Sequence, residues 1–357
     1  MADADRHTED RRDADREAEI AAFLAHVGWG DADRSVLARD MSYRTYDRLR
    51  RGAESAVLMN APPALEDVRP FLDIARQLTR LGLSAPRILA EDAAAGLLLL
   101  EDLGDRTFTR ELAAGVDETA LYELAVDLIA ALHRRAAKHG FTAPPYDADR
   151  LVEEADRFLR WYVPLVTGER VPEAAAEAWR TAWRACVPVL THGPETLVLR
   201  DFHVDNLMHL PDREGVARCG LLDFQDALTG SAAYDLVSLL QDSRRDLAPG
   251  LEAAMLDRCL ATAPVDGGGA FRRSYHALGA QRGLKVLAMF GRQLGFFGRT
   301  TALAHIPRTW AHIERDVAAA GLDPVIDWLD RHFPPSLRRV PDAGARLPAS
   351  ISPIIPR

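Results

Sequence analysis

The stretch "LVLRDFHVDNLMHLPDREGVARCGLLDFQDA", Leu197 to Ala227, constrains this chain more than any other. It is mostly apolar, yet it carries Asp201, Asn206 and Asp223. Burying a carboxylate without a partner costs on the order of several kcal/mol, so such acids must be paired, hydrogen-bonded or bound to a metal. "TLVLRDF" predicts a strand ending near Arg200. "NLMHL" and "ARCGLLDF" predict two strands around "PDREGV", whose Pro, Asp and Gly suit a turn. Pairing those strands returns Asp223 to the neighbourhood of Asn206, with Asp201 at the start of the connecting loop.

Phosphoryl transfer needs this set of groups. Mg²⁺ on nucleotide phosphates takes hard oxygen ligands, and a carboxylate must orient the attacking hydroxyl and finally accept its proton. Asp223 reads as the metal carboxylate, Asn206 as the amide oxygen that completes the shell, and Asp201 as the base. The alternative is a hairpin with incidental surface acids. Against it stands the order D-x-x-x-x-N and then D-F, the order of the protein-kinase signature. Here it is DFHVDN, Asp201 to Asn206, followed by Asp223 and Phe224.

The 357 residues suffice for two lobes with their own cores. A net charge of −9 argues against a broad basic face for nucleic acid, while leaving room for a local arginine cluster around an anion. Cys186, Cys219 and Cys259 are isolated, which excludes a disulfide framework and a zinc site of the usual spacing. The opening "MADADRHTEDRRDADREAE" lacks the apolar core of a secretory signal. No apolar run approaches the ~18 residues of a membrane span. A cytoplasmic protein without membrane contact is expected.

Patterning sets the order of parts. Residues 1–17, charged and without hydrophobes, read as a disordered lead-in. "AEIAAFLAHVGWGD" reads as a short helix ending at Gly28. "RSVLARD", "SYRTYDRLRR" and "SAVLMNAPP" predict three antiparallel strands with turns at Asp40–Met41 and Arg51–Gly52. An amphipathic helix through Phe71, Leu72, Ala75, Leu78 and Leu81 follows, with Pro70 delaying its start. "RILAED" and "GLLLLEDLGD" predict two more strands. Beyond Asp105 the pattern is helical, through Leu121–Leu132 and then over 150–163, 172–187, 233–242, 250–261, 271–298, 307–320 and 323–332. The expected class is α+β and bilobal: a nucleotide-binding lobe at 18–100, a hinge at 101–106, a catalytic and substrate lobe at 107–335, and a flexible Pro-rich tail at 336–357.

At this point the sequence resembles the aminoglycoside phosphotransferase and choline kinase superfamily. Within it, the chain is most similar to bacterial N-acetylmuramate/N-acetylglucosamine 1-kinases of peptidoglycan recycling. The resemblance rests on "ARDMSYRTYDRL", "AVLMNAPP", "LLLEDLGDRT", "LRDFHVDNLM", "GLLDFQDALTG", "YDLVSLLQD" and "QRGLKVLAMFGR". It implies a protein-kinase-like fold, with ATP and Mg²⁺ as cofactors and a small-molecule amino sugar as acceptor. It makes "ARDMSYRTY", with Ser42, the loop over the phosphates, and "LEDLGD" the hinge that meets adenine, Glu101 and Asp102 acting through their backbone.

The sequence departs from the kinase pattern in two places. Met59 stands where the phosphate-binding lysine of the V-A-I-K segment would be, so Arg44 or Arg48 is read as reaching the phosphates instead. Leu199 replaces the histidine of H-R-D. His203 reads as a brace for the loop, and Asp235 as an acceptor for backbone N–H groups of the catalytic loop. Asp226, Asp205 and Arg292 are candidate acceptor contacts, Arg292 for a lactyl carboxylate. Two other readings remain open: a kinase of an aminoglycoside or another small alcohol, and a non-catalytic nucleotide-binding protein.

Overall fold

In the computed structural model, residues 2–39, 43–262 and 268–351 are described. The expected Asp40–Met41 turn and Ser42 lie outside them. The chain divides into two compact units: Met1–Gly115 with Asp205–Asp226, and Val116–Val204 with Ala227–Arg357.

The first unit is built on five antiparallel strands, β1 (Asp33–Arg39), β2 (Thr45–Arg51), β3 (Glu54–Asn60), β4 (Ile88–Asp92) and β5 (Leu97–Glu101), in the order β1-β2-β3-β5-β4. All five were expected. Alternation explains the two faces of the sheet. Ala56 and Leu58 of β3, with Leu49, Leu97 and Leu99, pack against Ile20, Phe23 and Leu24 of helix α1 (Ala2–His26). Val57 of β3 lines a cleft instead. The β4–β5 turn needs a glycine, because Gly96 has φ +66° and a Cβ there would lie 2.0 Å from the Ala61 carbonyl oxygen.

Helix α1 differs from expectation. It runs continuously from Ala2, through the residues read as a disordered lead-in. Arg16 donates to Asn60 Oδ1 (2.9 and 2.7 Å) and to the Ala95 carbonyl (2.7 Å), and pairs with Glu19. Glu17 pairs with Arg34. The contacts of Arg16 with Asn60 and Ala95, and of Glu17 with Arg34, tie the charged part of the helix to the sheet beside the apolar stripe of Ile20, Phe23 and Leu24. Helix α2 (Arg69–Arg80) begins later than Glu66, with Pro70 in its first turn, where a missing N–H costs nothing. A short α3 (Phe108–Ala113) follows the segment after β5.

The second unit holds helices α4 (Glu118–His139), α5 (Ala148–Trp161), α6 (Val163–Thr167) and α7 (Glu173–Leu190), then α8 (Tyr234–Leu240), α9 (Leu251–Thr262), α10 (Gly268–Phe297), α11 (Ile306–Ala320) and α12 (Asp323–His332). Between α7 and α8 the chain forms β6 (Glu195–Val198) and β9 (Leu228–Ser231), which pair antiparallel, and the hairpin β7 (Leu207–His209) and β8 (Cys219–Leu221). Sequence patterning missed β9, four residues with two small ones. The hairpin was assigned to the helical lobe but groups with the first unit. There Leu221 donates its N–H to the Ser84 carbonyl (2.8 Å), and His209 to that of Arg106 (2.7 Å).

The tail after α12 is docked through Ile351, contrary to a loose extension. Ile351 is buried with Trp161 and Ala288, and Leu347 packs against the same cluster. Tyr162 Oη donates to the Arg339 carbonyl (2.8 Å), and Arg338 pairs with Glu314 and Asp330. Sparse apolar residues among prolines suffice here because each meets a preformed surface. Among the described residues no helix is long and apolar enough to cross a membrane, and the three cysteines are buried free thiols.

Candidate active site

In the first unit, the β7–β8 hairpin does what its register requires. Leu207 faces Leu221, and Leu222 donates its N–H to the Asn206 carbonyl (2.9 Å). Asn206 and Asp223 therefore meet: Asn206 Nδ2 lies 3.4 Å from Asp223 Oδ2. Asp223 has φ +55°, a left-handed conformation unusual for a residue other than glycine. Gln225 Nε2 donates to Asp223 Oδ1 (2.8 Å), and Phe224 stacks on Phe71 of α2 with centroids 4.9 Å apart. The D-F pair thus has two jobs, a polar one for the acid and an anchoring one for the ring.

Asn206 and Asp223 line a cleft of about 420 Å³. Its walls include Val57 and Leu100 of the sheet, the Glu101–Asp105 segment, and Met208 and Leu222 of the hairpin. The expected hinge and the expected metal pair share one cavity. Among the described residues no group of three or more His, Cys, Asp or Glu is placed to hold a metal alone. One carboxylate and one amide are hard donors of the kind Mg²⁺ accepts when phosphates complete its shell, so the residues present fit such an ion.

The two candidate arginines separate. Arg44 is 5% exposed, with its guanidinium 3.4 Å from Asp223 Oδ1 and 3.8 Å from Glu66 Oε1. It stands beside the metal-ligand candidate Asp223. Arg48 is buried too but committed elsewhere. It donates to both oxygens of Asp105 (3.0 and 2.8 Å), to Asp102 Oδ1 (3.0 Å) and to the Gly104 carbonyl (3.1 Å). Arg48 thus serves as a strut that binds β2 to the 102–105 segment, and Arg44 is the arginine that meets Asp223. Arg44 lies just before β2 and Arg48 within it, both in one short basic stretch, so sequence could not rank them.

The hinge acids are also occupied. Asp102 takes the Gly104 N–H (2.9 Å) besides Arg48, and Glu101 pairs with Arg213 (2.9 Å) and Arg87 (3.2 Å). Asp205 accepts a hydrogen bond from Thr109, and Asp226 is exposed beside Gln225. Met59 is fully buried on β3 opposite Leu98 and Tyr46, a packing residue. Glu66, which meets Arg44, was missed.

In the second unit, Asp201 lies between two three-residue turns. Its N–H reaches back to the Leu199 carbonyl (2.9 Å), and its own carbonyl accepts from His203 (3.1 Å). Arg200, at the centre of the first turn, has φ +70°. Asp235 of α8 accepts the N–H groups of Leu199 (2.7 Å) and Arg200 (2.8 Å). Burial, with Asp201 adding repulsion, outweighs those two bonds and pushes Asp235 up to about 7. Burial and the neighbouring Arg244 push His203 down to about 4, keeping the imidazole neutral. Arg292 stacks over Trp161 (5.7 Å) and Phe297 (5.5 Å). The groups beneath Arg200, namely Glu154, Tyr146 and Lys285, had no local signature that marked them as a set.

Residues 33–275 match the phosphotransferase enzyme family, APH. The chain belongs to that family. A relative from Caulobacter vibrioides named N-acetylmuramate/N-acetylglucosamine kinase is 38% identical, over 91% of this chain and 99% of its own length. Another of that name, from Pseudomonas aeruginosa, is 34% identical over 83% of this chain and 88% of its own. Among solved structures, choline kinase LicA from Streptococcus pneumoniae aligns with a TM-score of 0.56 at 11% identity, covering 85% of this chain and 98% of that one. The ADP-bound aminoglycoside phosphotransferase APH(2'')-Ib aligns with a TM-score of 0.54 at 14% identity, covering 86% of this chain and 99% of that one. The fold of this phosphotransferase is α+β and protein-kinase-like, as expected.

Proposed function

We propose that this phosphotransferase is an ATP- and Mg²⁺-dependent kinase that phosphorylates the anomeric hydroxyl of N-acetylmuramate or N-acetylglucosamine. The observation that carries the nucleotide half is the Asn206–Asp223 pair on the cleft that also contains the hinge. The names of the relatives support the acceptor half. Asn206 and Asp223 would hold the cation, which supplies charge neutralisation on the phosphates. Arg44, steadied by Glu66, would take a phosphate oxygen in place of the absent lysine. Asp201 would orient the anomeric hydroxyl and accept its proton. That hydroxyl is more acidic than an ordinary alcohol, so an ordinary carboxylate suffices late in the reaction. Positioning and electrostatics supply most of the acceleration.

The test is incubation of the purified protein with ATP, Mg²⁺ and separate acceptors: both amino sugars, an aminoglycoside and choline. Mass spectrometry identifies the product, and ³¹P NMR locates the phosphate on the anomeric carbon. Asp201→Asn should abolish turnover while ATP binding persists. Phosphorylation of choline or the aminoglycoside in preference to both sugars, or near-full turnover by Asp201→Asn, would overturn the reading.

A further inference from the structure

Arg200 is the most heavily restrained residue near Asp201, and the restraints come from elements far apart in sequence. Its φ of +70° and the bond from Asp201 N–H to the Leu199 carbonyl (2.9 Å) form a three-residue turn of the strained, positive-φ kind. Arginine does not adopt that conformation without compensation. The main chain is held on both sides, by Asp235 at the N–H (2.8 Å) and by Ser238 Oγ at the carbonyl (3.0 Å). The side chain is held too. Its Nη2 donates to Glu154 Oε1, and its guanidinium lies over the Tyr146 ring at 5.7 Å.

Glu154 is 1% exposed on α5 and is shared. Its second oxygen accepts from Tyr146 Oη and lies 3.3 Å from Lys285 Nζ of α10. Lys285 in turn donates to Tyr234 Oη (3.3 Å), next to Asp235 on α8. Burial opposes charge on Glu154, but Lys285, Arg200 and Arg157 prevail and lower its pKa to about 2. A buried acid between two cations is expensive to assemble and gives little net stability over an apolar packing. Its yield here is geometric: α5, α8 and α10 converge on the one residue preceding the proposed base.

We propose that Glu154, braced by Lys285, is a positioning residue that keeps the Arg200 turn in its strained form and thereby aims the Asp201 carboxylate. This rests on the reading of Asp201 as the base. Without the tether, Arg200 relaxes toward negative φ and the Asp201 carboxylate leaves its line of approach. The expected cost falls on turnover rather than on nucleotide affinity.

The experiment is a double-mutant cycle in the full-length protein, read as kcat per folded enzyme and KM for ATP. Glu154→Gln should lower kcat by tenfold to a hundredfold with KM for ATP within twofold of wild type. Arg200→Gly removes the tether but adopts positive φ freely, so it should retain more kcat than Arg200→Ala. Adding Glu154→Gln to Arg200→Gly should cost less than threefold further, because Glu154 then has no strained turn to hold. Equal losses from Glu154→Gln in both backgrounds, or an unchanged kcat with only a lowered melting temperature, would make the network purely structural and overturn the proposal. Should Glu154→Gln fail to fold, the Arg200→Gly and Arg200→Ala comparison still decides, since Ala equalling or exceeding Gly in kcat overturns it. Asp201→Asn run alongside separates the two levels. Turnover by that variant sinks the assignment of the base, whereas its inactivity beside a fully active Glu154→Gln sinks only the tether.

Discussion

Replacing Arg48 by methionine keeps most of the side-chain volume and removes only the guanidinium, so it isolates the strut. Arg48 and Asp102 have side chains 9% and 6% exposed, whereas Asp105 is 52% exposed. Breaking a fully buried ion pair costs about 3–5 kcal/mol, and losing a pair with a half-exposed acid costs about 0–1 kcal/mol. Asp102 keeps the bond from the Gly104 N–H, which trims the first figure toward its lower end. The expected loss is about 3 kcal/mol, or a fall of roughly 1 M in urea midpoint for an m-value of about 3 kcal/mol/M. Circular dichroism across a urea series measures it. Adding Asp102→Asn to Arg48→Met should recover at least half of the loss, because the carboxylate then no longer lies buried without its cation. An unchanged midpoint together with a tenfold rise in KM for ATP would return Arg48 to the phosphates and refute the strut.

Arg44→Met should behave in the opposite way. A charge-assisted hydrogen bond is worth about 1.5–3 kcal/mol, so KM for ATP should rise about tenfold to a hundredfold, with Arg44→Lys intermediate; unaltered ATP affinity by calorimetry would remove Arg44 from the site. His133 supplies a pH prediction. Full burial, with Arg134 assisting, lowers its pKa from 6.5 to about 4, so between those values the unfolded chain binds more protons than the folded one. The stability this contributes is complete above about pH 6.5 and is lost as pH falls toward 4, amounting to about 3 kcal/mol. His133→Leu should flatten that limb of the stability–pH curve, and an unchanged slope would show that another group causes it.

The strands and helices of this phosphotransferase were legible because each carries its own period. β3 reads as "SAVLMN", α2 as an apolar stripe through Phe71 and Leu78, and the hairpin as two short apolar runs around a turn. The Asn206–Asp223 meeting followed from that hairpin alone. Three features were not legible. β9 is too short to show a pattern, α1 begins among charged residues that carry no helical period of apolar side chains, and the tail is anchored by isolated apolar residues on a surface formed elsewhere.

By itself the chain determined its class and its chemistry-bearing motif, since periodicity and close spacing are properties of neighbouring residues. Tertiary structure decided which charge meets which. Arg44 meets Asp223 across 179 positions, Arg48 meets Asp102 across 54, and Arg200 meets Glu154 across 46. Coulomb energy depends on distance in space and on exclusion of water, and neither is written in the local order of residues.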